Sequence, residues 1–396
     1  MGERRPVSGR TSGVALAVAL LAGALALRPS VVGVGPLLEA IAADLTASRG
    51  AVGLLATIPV FCMGLFAPLA APLSARLGAR HAIALGLLLI AVAGVVRAVA
   101  PSLPWILALT VLVGAGIGLA QGSLPAVVKR YAADRPATAT GTYVAGIQIG
   151  AAAATALAAP VATVAGGWRG TLAVLGVATA VLAVAWLAVA PRERIRGEAA
   201  AALPVREPRA WLLVAIFGLQ SAPFYGVNAW MPAYYVEQGW TPAAAGGLLG
   251  VVNLAGLAGA LTVPRLADRY HARRGPLIVA AAVLGAALLA SLAWPAGGWA
   301  WAVFIGVALG SLFSLTLTLP LDTSPDPRAA AATTGLVIGV GYLIAASAPA
   351  TLGLVRDLTG THVATLWTLF GVCVLLGLLC LPLSRERLRP TASMGA

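Results

Sequence analysis

Charged and amide side chains are scarce in this chain of 396 residues. Lys, Arg, Asp and Glu make up 10% of it, against about 25% in an ordinary soluble domain. Hydrophobic residues make up 60%, and the mean hydropathy is +0.94. A water-soluble fold could not bury so much apolar surface. Apolar runs of about 20 residues, enough to span ~30 Å of hydrocarbon as a helix, recur along the chain. Because backbone groups in lipid must pair within their own segment, these runs are predicted to be helices.

The sequence also lacks the residue patterns of an enzyme or a metal protein. It has no HExxH motif, no Gly-rich phosphate loop after a strand, and no Ser/His or paired-carboxylate set at membrane depth. Its three cysteines, Cys62, Cys373 and Cys380, lie in apolar runs without metal-ligand spacing, which is typical of packing residues. We therefore expect no catalysis, no metal and no cofactor. A non-transporting membrane sensor stays open, although the sizeable soluble domain usual for one is missing.

Runs bounded by charges or by Pro/Gly clusters predict an all-α membrane protein with twelve transmembrane helices. A charged segment, residues 191–209, divides them into two sets of six. The predicted organisation is an N-terminal tail (1–13), a six-helix bundle (14–190), a linker (191–209), a second bundle (210–382) and a C-terminal tail (383–396). The predicted spans are 14–41, 51–74, 81–100, 104–128, 137–163, 170–190, 210–237, 243–263, 276–294, 298–321, 329–355 and 362–382.

Basic residues alternate between the two sides of this topology. Of the 26 Lys and Arg, only Arg49, Arg97, Arg169 and Arg356 fall in loops on the side opposite the N-terminus. The positive-inside rule then places both termini and the linker in the cytoplasm, so the net charge of +13 reports topology rather than nucleic-acid binding. The N-terminus also resembles a secretory signal peptide, but the apolar run continues well past the potential cleavage site.

The two sets of six helices repeat one another. Gly53-Leu54-Leu55 recurs as Gly247-Leu248-Leu249, and Thr140-Gly141 recurs as Thr334-Gly335. Pro125 and Pro320, and Arg76 and Arg269, are related by nearly the same offset. Four such matches indicate a duplicated six-helix unit. Transporters built from parallel repeats bind their substrate between the halves, near the middle of the membrane.

Arg28 is the costliest residue of the predicted spans. It lies in the middle of the first one, beside Pro29, and an arginine at the centre of a membrane helix costs roughly 2.5 to 3.5 kcal/mol on insertion scales. Such residues usually face a protein interior or a water-filled cavity. One interpretation is a substrate-binding group. The alternative is a structural arginine that binds backbone carbonyls freed by Pro29.

The six amide residues of the chain are concentrated in a few spans. Five of them, Gln121, Gln148, Gln220, Asn228 and Asn253, fall in the fourth, fifth, seventh and eighth spans, whereas the third, sixth, ninth and twelfth spans contain none. This distribution is expected if the third helix of each triplet faces lipid and the other helices line a cavity. The alternative is that the amides only form hydrogen bonds between neighbouring helices, each of which stabilises the packing by ~0.6 kcal/mol.

Aromatic residues complete the candidate binding set. Tyr342 lies near the centre of its span, at the level of Arg28, Gln148 and Asn253. Tyr225 shares a face of the seventh span with Asn228, and Trp230 follows, although it could equally be an interfacial anchor. None of the 13 acidic residues lies in the middle of a span. The only deep charge is therefore positive, which favours an anionic or acceptor-rich substrate over an organic cation.

The chain resembles the major facilitator superfamily, and within it the bacterial cyanate and nitroimidazole transporters. The resemblance is carried mainly by LRPSVVGVGPLL in the first span, TGTYVAGIQIGAA in the fifth and GLQSAPFYGVNAWMPAY in the seventh. It implies that five residues occupy positions that this group keeps polar and turns toward the cavity: Arg28, Gln121, Gln148, Gln220 and Tyr225.

A cytoplasmic loop motif of the superfamily is present in only one half. Asp268-Arg269 opens it in the second half, whereas the first half reads SARLGARH, with Ala75 where the resemblance implies Asp. We expect gating residues at both copies, namely Arg76, Arg80, Asp268 and Arg269.

The sequence thus predicts a monomeric inner-membrane transporter of a small anionic or acceptor-rich solute, such as cyanate, working by alternating access. Nitroheterocycle or multidrug efflux is the alternative, and a coupling ion is left open.

Overall fold

A computed structural model describes residues 13–47, 49–192, 201–270 and 272–383. The predicted tails lie outside these ranges except for Gly13 and Leu383, and so do residues 193–200 of the predicted linker. The described chain is helical, with three 3-10 turns at Gly35–Leu37, Ala67–Leu69 and Pro295–Gly297. The α-helices are α1 Gly13–Leu25, α2 Pro29–Val32, α3 Leu38–Asp44, α4 Arg49–Phe66, α5 Ala70–Leu77, α6 Ala79–Ala98, α7 Leu103–Tyr131, α8 Pro136–Val164, α9 Trp168–Val189, α10 Pro208–Glu237, α11 Pro242–Arg269, α12 Arg274–Ala293, α13 Gly298–Thr323, α14 Pro327–Thr359 and α15 His362–Cys380.

Twelve stretches of the described chain are long and apolar enough to cross a membrane, which confirms the predicted number. The first is built from α1, α2 and the turn that follows, the second from α4 and α5, and each helix from α6 to α15 provides one more. Prolines lie inside several of these helices, for example Pro223 in α10 and Pro349 in α14. Neighbouring helices can satisfy the carbonyls that such prolines free.

The helices pack in two groups. In the first half α6 packs on α7 and α9, and α1 packs on α8 and α9; in the second half α11 packs on α13, α10 on α14, and α12 on α15. Two seams join the halves, one between α8 and α11 and the other between α4 and α14. We call the face that carries residues 78, 132–135, 270, 272–273 and 324–326 the inner face. It is the face that the sequence analysis predicts to be cytoplasmic.

Small residues allow the backbones to approach closely along both seams. A Cβ added to Gly141 of α8 would lie 2.5 Å from the carbonyl oxygen of Ala260 in α11. A Cβ added to Gly64 of α4 would lie 2.7 Å from the carbonyl oxygen of Gly339 in α14. In lipid, helices associate through such close packing because the hydrophobic effect between them is absent.

Helix α9, the sixth span, turns an apolar stripe outward. Its exposed valines follow helical spacing, at positions 174, 177, 181 and 184. In a membrane such a stripe faces lipid, as expected for a helix without amide residues.

Candidate functional site

The first span is interrupted at Arg28. Helix α1 ends at Leu25, and α2 begins at Pro29, which has no N–H to continue the helical hydrogen bonds. Val31 and Val32 both donate their backbone N–H groups to the carbonyl of Arg28 (3.0 and 3.1 Å). The interruption therefore has its own short hydrogen-bond pattern, and it places a charged side chain in the middle of the protein.

The Arg28 side chain is buried, and its guanidinium reaches across to the second half. Nη1 donates to the hydroxyl of Tyr225 (3.4 Å), and Nη2 donates to the hydroxyl of Tyr342 (3.2 Å). Nη1 also lies 4.0 Å from the sulfur of Met63. No carboxylate pairs with Arg28 among the described residues. Its positive charge is held by neutral oxygens alone, so the site electrostatically favours an anion.

Gln121 supports this contact from behind. Its Nε2 donates to the Tyr342 hydroxyl (2.9 Å), which therefore accepts from both Gln121 and Arg28. A phenolic oxygen that accepts twice still has its own O–H to donate. The Tyr342 hydroxyl is thus arranged to donate a hydrogen bond to whatever occupies the space beside Arg28.

That space is a cavity between the two halves, and its empty volume of about 400 Å³ includes space open to solvent. Its wall combines polar side chains with aromatic rings: Phe224 meets Tyr225 edge-on, with ring centroids 5.3 Å apart, and Phe313 also lines the cavity. The lining residues are Arg28, Gln148, Gln220, Ser221, Phe224, Tyr225, Leu309, Gly310, Phe313 and Tyr342.

The remaining sequence candidates lie outside the cavity wall. Asn228 and Asn253 donate to carbonyls of their own helices four residues earlier (2.7 and 2.9 Å). Trp230 donates its indole N–H to the carbonyl of Pro349 (2.9 Å), and its ring packs on that of His362. Trp230 lines a smaller apolar cavity of about 250 Å³ instead. Sequence reasoning missed Leu309, Gly310 and Phe313, because an apolar residue that lines a cavity cannot be distinguished from one that packs in a core.

A second buried arginine holds the interrupted helix. Val34 donates its N–H to Val31 rather than to Ser30, so the Ser30 carbonyl is free to accept from Nη2 of Arg97 (3.0 Å). Nη1 of Arg97 donates to the Thr110 hydroxyl (3.3 Å). This is the carbonyl-binding role that the sequence offered as the alternative for Arg28. Arg97 has this role, although the sequence analysis places Arg97 in a loop because it lies near a helix end.

Known proteins resemble this chain both in sequence and in its fold of twelve spans in two groups. The model of the Major Facilitator Superfamily matches residues 14–349. The chain belongs to the Major Facilitator Superfamily. It is therefore a member of a family of membrane transporters, not of enzymes, and it is a multi-pass membrane protein.

Two transporters of Escherichia coli (strain K12) resemble this major facilitator protein over most of its length. The cyanate transport protein CynX is 32% identical over 367 residues, which cover 91% of this chain and 94% of that protein. The 2-nitroimidazole transporter is 30% identical and covers 91% of this chain and 95% of its own length. The crystal structure of the transporter FucP in the outward conformation matches with a TM-score of 0.74 at 16% identity, over 92% of this chain and 97% of that one. This likeness shows the shared fold.

At the inner face of this transporter, Asp268 joins the two halves. From the end of α11 its carboxylate accepts the N–H of Ala137 (3.2 Å) and both the N–H (2.6 Å) and the hydroxyl (2.7 Å) of Thr138. The two N–H groups that donate to Asp268 belong to the first turn of α8. The negative charge of Asp268 also interacts favourably with the positive end of the α8 dipole there. We call this set of cross-half bonds the Asp268 latch.

Arg273 braces the latch from within the second half. It donates to Asp268 and to Asp322 (2.8 Å each). Burial alone lowers the pKa of Arg273, but the nearby carboxylates of Asp322 and Asp268 outweigh burial and raise it above its ordinary value. The guanidinium therefore stays charged and keeps the Asp268 carboxylate oriented.

The first half has no corresponding latch, since Ala75 occupies the related position. Across the seam from it, Asp326 caps its own helix α14, accepting from the N–H groups of Arg328 (2.8 Å) and Ala329 (3.0 Å). Of the other predicted gating residues, Arg76 and Arg269 are exposed, and Arg80 donates to the carbonyl of Leu187 within its own half.

Lys129 makes a further cross-half contact at the inner face. Its Nζ donates to the carbonyl of Leu321 in α13 (2.6 Å). Among the described residues, the hydrogen bonds that cross between the halves thus involve either the Arg28 level or the inner face.

Proposed function

We propose that this transporter carries a small anion with hydrogen-bond acceptor atoms, with cyanate as the first candidate. The observation that carries the proposal is the Arg28 guanidinium, which lines the central cavity without a carboxylate partner. An anion beside it would gain charge-assisted hydrogen bonds, and the Tyr342 hydroxyl would supply another donor. The resemblance to a cyanate transport protein supports the same substrate class.

The transport cycle that we propose is alternating access about this cavity. The Asp268 latch and the Lys129 contact hold the inner face closed, and their release lets the halves part on that side. In this proposal both termini are cytoplasmic in the cell's inner membrane, as the distribution of basic residues predicts. The transporter acts as a monomer, and a coupling ion is not part of the proposal.

A second candidate substrate is a nitroheterocycle. Phe224 and Phe313 give the cavity aromatic walls, against which a flat ring could stack. The nitro oxygens could then accept from Arg28. The 30% identity to a 2-nitroimidazole transporter supports this candidate.

Arg28 is tested by measuring labelled cyanate uptake and release in proteoliposomes. We expect Arg28→Ala to abolish transport and Arg28→Lys to retain at most a fraction, because an ammonium keeps the charge but loses the planar fork. Loss of one charge-assisted bond, about 1.5–3 kcal/mol, corresponds to roughly 10- to 150-fold in affinity. The matched control is Arg169→Lys, since Arg169 donates to carbonyls of the same half but lies away from the cavity.

Normal transport by both Arg28 variants would overturn the role of Arg28 and the substrate class with it. Competition by 2-nitroimidazole separates the two substrates. Net export of varied lipophilic cations would instead support multidrug efflux, and failure of any substrate-dependent counterflow would support a non-transporting sensor.

A further inference from the structure

Two threonines occupy equivalent places in the two halves, on the inner side of the cavity. Thr140 lies in α8 and Thr334 in α14, and each is eight residues from a cavity-lining residue, Gln148 and Tyr342 respectively. Eight residues are about 12 Å of helix, and residues at i, i+4 and i+8 follow one side of it. Thr140 and Thr334 are therefore polar positions on the inner side of the cavity, each separated from it by one buried apolar residue, Val144 or Ile338.

The hydroxyls of both threonines are buried without a hydrogen-bond partner. This is unusual in the chain, because helical threonines such as Thr179 and Thr318 donate to the carbonyl four residues earlier (2.9 Å each). A buried polar group without a partner costs roughly 1–3 kcal/mol. The closed inner face therefore holds Thr140 and Thr334 in an unfavourable state that hydration or a ligand would relieve.

Both threonines stand beside the seams at which the halves meet. Gly141 is next to Thr140, and a Cβ added to it would lie 2.5 Å from the carbonyl oxygen of Ala260 in the other half. Gly335 is next to Thr334, and a Cβ added to it would lie 3.2 Å from the carbonyl oxygen of Ala67 in the other half. Each threonine is thus next in sequence to a glycine at which the backbones of the two halves are in close contact.

Two further polar atoms without partners lie between the cavity and the threonines. The Tyr143 hydroxyl is one helical turn from Thr140 and close enough to its hydroxyl for a small side-chain rotation to pair the two. Gln121 donates its Nε2 to Tyr342, but its Oε1 has no partner. Among the described residues, four of the ten buried side-chain N and O atoms without a partner thus belong to Gln121, Thr140, Tyr143 and Thr334.

We infer that Thr140 and Thr334 form a transit site for the anionic substrate on its way between the Arg28 cavity and the inner face. The inference rests on the alternating access proposed above. When the Asp268 latch opens, both hydroxyls become free to donate hydrogen bonds to the substrate or its water shell. In the structure described here both side chains are fully buried.

Cysteine accessibility tests the transit site without any substrate. Thr140→Cys and Thr334→Cys are made separately, with and without Asp268→Asn, and labelled by a membrane-impermeant methanethiosulfonate in inside-out and right-side-out vesicles. The control is Thr179→Cys, a buried threonine of α9 whose hydroxyl is already bonded. The chain without an introduced cysteine serves as the blank, since its three cysteines are buried.

We expect both introduced cysteines to react from the face that carries Asp268, at least about tenfold faster than Thr179→Cys and faster still with Asp268→Asn. Reaction no faster than the control in either background, or only from the opposite face, would overturn the transit site. Because the two positions belong to different halves, failure of one variant to fold leaves the other as the test. Cyanate uptake without labelling would overturn the transit site alone, whereas labelling without cyanate uptake would overturn only the proposed substrate.

Discussion

Replacing Asp268 by Asn should open the inner face. The carboxylate accepts three bonds from the first half, two from N–H groups and one from the Thr138 hydroxyl. Asn keeps one acceptor oxygen, and its NH₂ group would face a donor where the second oxygen was. The substitution also removes the negative charge at the start of α8. Arg273 then keeps only one of its two carboxylate partners, Asp322.

The size of the effect follows from these contacts. A hydrogen bond to a charged group contributes about 1.5–3 kcal/mol, and a charge at a helix end about 0.3–1 kcal/mol. We expect a loss of about 2–4 kcal/mol from the closed inner face, because one bond is lost and the others are weakened. That changes the ratio of closed to open states by roughly 30- to 700-fold.

Pulsed electron paramagnetic resonance can measure this opening. Spin labels at Ala133→Cys and Gly275→Cys, which are exposed at the inner ends of the two halves, report the distance between them. The matched control is Asp44→Asn, because Asp44 pairs with Arg169 inside the first half (3.4 Å) and not across the halves. We expect a longer distance population for Asp268→Asn alone. Equal distance distributions for both variants would refute the latch reasoning.

Three further outcomes are expected. Arg97→Met should lower the free energy of unfolding by about 1–3 kcal/mol, seen in thermal unfolding in detergent, because a carbonyl of the interrupted helix loses its donor; Arg97→Lys should restore part of it. Tyr342→Phe should weaken cyanate binding about 10-fold in equilibrium titration, since it removes an acceptor of Arg28 and a donor to the cavity, and unchanged affinity would contradict that role. Thr140→Val with Thr334→Val should lower the maximal transport rate while the half-saturating concentration stays the same, and a change in half-saturation alone would argue against a transit role.

Much of the fold was predictable because lipid imposes strong rules on a sequence. Apolar length set the number of spans, and the scarcity of polar groups directed attention to Arg28, Tyr225 and Tyr342. The interruption of the first span was less predictable. Pro29 and the glycines after it were visible, but the predicted span 14–41 is observed as several short helices, since which carbonyls find partners depends on neighbouring helices.

Contacts between distant residues were beyond a single sequence. Asn228 was placed on the face of Tyr225 by helical spacing, yet it bonds to its own backbone, a choice that side-chain rotation makes locally. Arg97 gave no signal of its role, because its partner is the backbone carbonyl of Ser30. The cross-half bonds of Asp268 depend on how the halves dock, which no periodicity encodes.

The presence of a latch in only one half bears on how this transporter tolerates change. Here Ala75 stands where the second half has Asp268, and the hydrogen bonds of Asp326 stay within its own helix. Closure on the α4–α14 seam rests on glycine and proline backbone contact, which a single exchange of charge cannot release. In the proposed cycle, opening of the inner face therefore depends on two unequal contacts, the Asp268 carboxylate and the Lys129 ammonium, so changes of cycle rate are expected from substitutions around either one.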